Sequence, residues 1–95
     1  MNYLTIVSEV TGVKASEIIS KKTKKYISEA RQLCMFYYNK ELGLSAAGRI
    51  LKRNHSTIYH GSNHIKGLLE IKDKKITGWI EKAELMISSR VELNF

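Results

Sequence analysis

Apolar residues recur along this chain at steps of three and four, interrupted by short polar intervals, and this pattern predicts helices joined by tight turns. Tyr3, Leu4, Ile6, Val7 and Val10 are spaced as the inner face of a short helix that stops near Gly12. Val13, Ile18 and Ile19 mark a second short helix, with Ser16 as its N-cap ahead of Glu17. Ser20-Lys21-Lys22-Thr23-Lys24-Lys25 holds no apolar residue. Its lysines repel one another and nucleate a helix poorly, so residues 20–25 read as a basic loop. From Tyr26 to Leu42 the pattern returns: Ile27, Ala30, Cys34, Tyr38 and Leu42 form a stripe that Leu33 and Tyr37 widen. This predicts a long central helix, closed by Gly43 in the left-handed conformation.

Beyond Gly43, Ser45 can cap a two-turn helix whose inner face is Ala46, Ile50 and Leu51, while the small Ala47 and Gly48 allow close approach of a neighbour. Lys52-Arg53-Asn54 makes a turn, with Asn54 capping the next helix. That helix buries Ile58, Gly61, Ile65 and Leu68 or Leu69, and leaves His55, Ser56, Thr57, His60 and Asn63 outside. Gly67 and the charged run 72–75 flank a break, after which Ile76, Trp79, Ile80, Ala83 and Ile87 define a last helix that frays towards Phe95. No strand-like alternation or internal repeat competes. The predicted fold is an all-α bundle of five or six helices in one domain, 1–95, with a helix-turn-helix over 44–66. A recognition helix that enters the DNA major groove carries hydrogen-bonding and basic side chains on its first turn, as this one does. An ordinary helical hairpin with a polar end fits the same pattern.

Charge separates those two readings. The formal net charge is +7, and all of it lies between Lys14 and Arg53, where ten basic residues face three acidic ones. The other segments hold six of each and cancel. A localised basic region is the footprint expected for a polyanionic partner. With 95 residues, 43% hydrophobic and no proline, the chain has the composition of a small folded helical domain. No apolar run approaches the ~20 residues that span a bilayer, and the N-terminus lacks the order of a secretory signal. The single cysteine, Cys34, has no internal disulfide partner, which points to a reducing cytoplasm and a buried structural thiol.

Catalytic chemistry finds little support, and the chain reads as a non-enzyme without cofactor or nucleotide. His55 and Ser56 are adjacent, and neighbours on a helix diverge by ~100°, so they do not form a base and nucleophile. There is no glycine-rich phosphate loop. His60 and His64 share a helix face but lack further ligands nearby, a weak metal signal. Double-stranded DNA accounts for more residues at once. Lysines and arginines bind phosphates, and a helix N-terminus adds amide donors. Asn54 can pair with adenine and Arg53 with guanine; Ser56 and Thr57 serve bases or phosphates.

These residues resemble the C-terminal DNA-binding domain of the bacterial replication initiator DnaA, a Trp-repressor-like helix-turn-helix fold. The resemblance runs from about Gly12 to Ile65. It rests on the basic loop followed by Ala30-Arg31-Gln32, on Met35, Lys40-Glu41-Leu42 and Gly48-Arg49, and above all on Arg53-Asn54-His55-Ser56-Thr57-Ile58-Tyr59-His60. The last stretch is similar to the family's Arg-Asp-His-Thr-Thr-Val-Leu-His signature. The resemblance implies a recognition helix in the major groove and a basic loop at the minor groove. It puts Arg53, Asn54, His55, Ser56 and Thr57 at base- and phosphate-contacting positions, Lys21, Lys22 and Lys24 in the loop, and Lys40 on a phosphate. Lys25, Arg31, Ser45, Lys52 and His60 complete the expected contact set. Asn54 replaces an acid and Thr23 a minor-groove arginine, and the connections around Leu42–Ala47 and before Arg53 are shorter, so a different target site is expected. No ATPase domain precedes the motif, so a small bacterial or phage regulator or accessory factor is expected rather than a full initiator. The competing reading is a protein-interaction adaptor that keeps the fold, docking a partner or a second copy through the terminal helices around Trp79 and the N-terminal aromatics.

Overall fold

The structure, a computed structural model, describes residues 1–92, with side chains to residue 89. Six helices follow one another: α1 (Tyr3–Thr11), α2 (Ala15–Ile18), α3 (Lys25–Leu42), α4 (Leu44–Leu51), α5 (His55–Glu70) and α6 (Lys74–Glu92). No strand occurs among the described residues. The helix α3 is the axis, in contact with α1, α2, α4 and α5, while α6 lies across α1 and α5. Its placement follows from its sequence: Ile27, Ala30, Leu33, Cys34, Met35, Tyr37 and Tyr38 are all buried, too wide a stripe to be covered by one partner. Ile6, Ile18, Leu51, Ile58, Ile65 and Ile76 close over it from the other five helices. Each such side chain contributes roughly 1.5–3 kcal/mol when fully removed from water.

Polar bonds fix the orientation that packing alone leaves loose. The Tyr38 hydroxyl accepts from the Leu4 amide at 3.2 Å and donates to Asn2 Oδ1 at 3.4 Å. Asn2 also caps α1 by accepting from the Thr5 amide, so the start of α1 is pinned to α3. Tyr3 stacks on Tyr37 with ring centroids 5.0 Å apart. On the other side, Ser62 donates to the Met35 carbonyl at 3.1 Å, tying α5 to α3. Lys75 reaches Glu29 at 2.6 Å and Tyr37 donates to Glu84 at 3.1 Å, tying α6 to α3. Cys34 is fully buried, and burial pushes its thiol well up, so it is an inert structural thiol.

Several local expectations are corrected. The helix α2 starts at Ala15 without a side-chain cap, so Ser16 is not its N-cap. Lys25 is the first residue of α3 rather than the last of the loop. Leu42 is half exposed, because the stripe has rotated off the core by the final turn. Gly43 has φ 89° and ψ 171°, an extended region at positive φ rather than the left-handed helical one. Both regions favour glycine, but this one turns the chain straight into α4, so Leu44 opens the helix and Ser45 lies on its exposed surface, uncapped. The inner face of α4 is Ala47, Gly48 and Leu51, with Ala46 and Ile50 half-buried. Gly67 lies inside α5; the break falls at 71–73, where Lys72 is left-handed and Asp73 caps α6 by accepting from the Ile76 amide at 3.0 Å. The fraying expected towards Phe95 falls outside the described residues.

Candidate nucleic-acid interface

The turn between α4 and α5 is set by three sequence choices. Lys52 adopts φ 57° and ψ 46°, which reverses the chain after α4. Gly48 makes the reversal possible: a Cβ there would lie 2.6 Å from the Arg53 carbonyl oxygen, inside any real contact. The Arg53 amide instead donates to the Gly48 carbonyl at 3.0 Å. Asn54 then caps α5, its Oδ1 accepting from the Thr57 amide at 2.8 Å. No acidic residue occupies the first turn of α5, so the positive end of the helix dipole is uncompensated by the protein.

Around that helix start the expected residues come together. Ser45, Gly48, Arg49, Lys52, Arg53, Asn54, His55 and Ser56 line an open groove of about 680 Å³ between α4 and α5. On the opposite flank of α5, a second groove of about 390 Å³ is bordered by Ser56, Thr57, His60 and His64, with Gln32 and Met35 from α3. Asn54, His55, Ser56, Thr57, His60, Asn63 and His64 are all exposed. Arg49 and His64 were absent from the set expected as contacts. Arg49 entered the reading through the basic region and the Gly48-Arg49 match, and His64 as a weak metal candidate set against a DNA-facing or surface histidine, without either being placed in that set. Among the described residues no group of three or more His, Cys, Asp or Glu can hold a metal.

The basic loop runs beside this edge, with Lys21, Lys22, Thr23 and Lys24 exposed and Lys25 exposed at the start of α3. Two arginines hold the loop in shape. Arg31, expected among the DNA contacts, is only 6% exposed. Its Nε donates to the Ile18 carbonyl at 2.6 Å, and its Nη2 reaches the carbonyls of Lys22 at 2.8 Å, Ser20 at 2.9 Å and Glu17 at 3.3 Å. It is therefore an internal clamp, because five fixed donors suit it to gather carbonyls of an irregular loop that has no ladder partners. Arg53 is half-buried: Nη1 donates to the Leu51 and Lys52 carbonyls, and Nη2 to that of Ser20. The two guanidiniums thus share one carbonyl, and the loop and the turn are joined through it. Burial, and then the like charge of Arg53, hold the Arg31 pKa below its usual value.

Lys40 is not brought to either groove; it borders a separate recess with Tyr3, Tyr37, Glu41 and Glu84. The N-terminal aromatics expected as a docking surface are turned inward, Tyr3 being buried against α3. No described helix is long and apolar enough to cross a membrane.

A family model for the bacterial dnaA protein helix-turn-helix matches residues 3–65, which takes in α1 as well as the stretch that carried the resemblance in the sequence. The chromosomal replication initiator protein DnaA of Porphyromonas gingivalis is 34% identical over 86 residues, covering 87% of this chain and 18% of that protein. That of Thermosipho melanesiensis is 29% identical over 85 residues, with 87% and 20% covered. That of Bacteroides thetaiotaomicron is 26% identical over 90 residues, with 92% and 19% covered. The chain spans about a fifth of the length of these curated relatives.

Proposed function

Because this chain belongs to the family of the bacterial DnaA helix-turn-helix, we propose that it binds double-stranded DNA sequence-specifically, with α5 in the major groove and the basic loop on the adjoining minor groove or backbone. The observation that carries the proposal is the exposed start of α5. It is capped by Asn54, lacks any first-turn carboxylate, and is flanked by Arg49, Lys52 and the loop lysines. Such a helix end attracts phosphate and presents His55, Ser56, Thr57 and His60 to base edges. Asn54 contributes differently from a free amide: its Oδ1 already serves the Thr57 amide, so its Nδ2 is the group left to donate to a base acceptor. The biological role this supports is that of a small cytoplasmic bacterial regulator or accessory factor.

Selection of bound duplexes from a random pool tests the proposal. Enrichment of one sequence, lost on random competitor, supports specific readout. Recovery of an unenriched pool would reject sequence-specific reading, and recovery of no DNA at low salt would reject DNA binding itself and favour the adaptor reading.

A further inference from the structure

The join between loop and turn encloses a recess of about 280 Å³ lined by Lys21, Thr23, Arg31, Lys52 and Arg53. Four of its five lining residues are cations and none is a carboxylate. The nearby Glu17 lies on α2 and is paired with Lys22 at 3.6 Å. Arg31 makes all its hydrogen bonds through Nε and Nη2. Its Nη1 makes none, yet no buried side-chain nitrogen or oxygen among the described residues lacks a partner, so Nη1 must meet solvent. A residue nine-tenths buried therefore keeps one charged amino group open beside a recess that it lines. Arg53 likewise spends Nη1 and Nη2 on carbonyls and leaves Nε unbonded. Two guanidiniums held close by a shared carbonyl repel each other, and an anion between them removes that repulsion.

We propose that this recess is a seat for a single phosphate group, filled by one backbone phosphodiester of the bound duplex, held by Arg31 Nη1 and Arg53 with Lys21, Lys52 and the Thr23 hydroxyl around it. The inference rests on the DNA-binding reading and deepens it. The seat is built half from the basic loop and half from the helix-turn-helix turn. The phosphate it takes is the one between the groove that the loop follows and the groove that α5 enters. Occupancy fixes the spacing between the two contacts, so the same phosphate sets the register of the protein on its site. Its strength comes from charge-assisted bonds to guanidinium, about twice as strong as neutral ones.

The test steps a single uncharged methylphosphonate linkage along each strand of a selected duplex and measures affinity. One linkage is expected to stand out with a loss of about tenfold or more, the scale of losing a charge-assisted bond. In Arg53→Gln, which removes one of the two guanidiniums, the same linkage should cost less than about twofold, and in the doubly substituted variant Lys21→Gln, Lys52→Asn it should cost measurably less than in wild type, while linkages elsewhere keep their wild-type cost. Lys21 and Lys52 are exposed, so the double variant stays informative even if Arg53→Gln fails to fold. Losses that simply multiply at every linkage would overturn the seat while leaving DNA binding intact. If no duplex binds, inorganic phosphate is titrated against the guanidinium ¹⁵N signals of Arg31 and Arg53. Saturable shifts would then uphold the seat and overturn a DNA phosphate as its occupant. No shift would overturn the seat itself.

Discussion

Replacing Asn54 by aspartate separates the two tasks placed on that residue. As a cap, Asn54 Oδ1 accepts from the Thr57 amide at 2.8 Å, and a carboxylate can do the same. Asn and Asp are equivalent N-caps, and the negative charge gains a further ~0.3–1 kcal/mol at the uncompensated dipole of α5. Asn54→Asp should therefore be as stable as wild type or up to ~1 kcal/mol more so in urea unfolding. Asn54→Ala removes the cap and should lose about 1 kcal/mol. Readout should move in the opposite sense. The amide Nδ2 is a donor and the second carboxylate oxygen an acceptor, so a preference for a base acceptor becomes one for a donor such as cytosine N4. Discrimination of this kind is worth ~1–3 kcal/mol, roughly five- to 150-fold between the original and switched base. Paired selections on wild type and Asn54→Asp read the switch, with urea curves on the same samples. An aspartate variant of unchanged stability and unchanged base preference would refute base reading by Asn54 and leave it a cap alone. A loss of stability as large as that of the alanine variant would refute the cap.

Other outcomes follow from the same geometry. Arg31→Ala should destabilise the fold by about 3 kcal/mol or more in urea unfolding, since the Ile18 and Lys22 carbonyls lose their only side-chain partner and those of Ser20 and Glu17 lose one of two; a loss under ~1 kcal/mol would contradict the clamp. Gly48→Ala should cost about 1–3 kcal/mol despite the better helix propensity of alanine, because its Cβ meets the Arg53 carbonyl at 2.6 Å and backbone cannot rotate away. Lys52→Asn should raise stability by up to ~1 kcal/mol, asparagine tolerating the left-handed conformation better, while lowering DNA affinity and reducing the salt slope by about one. Calorimetry alone would show the first effect and binding the second; an affinity unchanged by the substitution would take Lys52 out of the interface. Alkaline pH should unfold the protein: burial, then Glu41, pushes the Tyr3 pKa from 10.0 up to about 12, and Tyr37 and Tyr38 also rise, chiefly through burial. The folded state holds these protons longer than the unfolded chain, so stability is intact below about pH 9 and falls as pH climbs from 10 towards 12. Tyrosinate absorbance exceeding that of two tyrosines, the number that the exposed Tyr26 and Tyr59 can supply without unfolding, well before circular dichroism is lost would contradict that coupling.

The helices were legible because their stripes are long: Ile27 to Tyr38 repeats often enough that tertiary context could not reassign it. The capping of α5 by Asn54 was legible for a local reason, as the bond spans only three residues. Ser16 and Ser45 were misread because a good capping residue does not specify which turn is used; Gly43 and Lys14 took the positions instead. The clamping role of Arg31 was hidden for a physical reason of wider reach. A basic residue near a basic loop looks like part of its surface, whereas the loop's unpaired carbonyls needed an internal donor, and those carbonyls are invisible in the side-chain pattern. Arg53 was assigned to guanine on similar grounds, and its bonds to Ser20, Leu51 and Lys52 appear only once loop and turn are brought together.

The central claim is that this helix start and loop bind DNA through phosphates. Fluorescence anisotropy on a selected duplex between 50 and 200 mM salt tests it most directly. With six to eight phosphates neutralised, log affinity should fall against log salt with a slope of about −5 to −7, a loss on the order of a thousandfold or more. A slope near zero, or no binding at the low-salt end, would contradict the account.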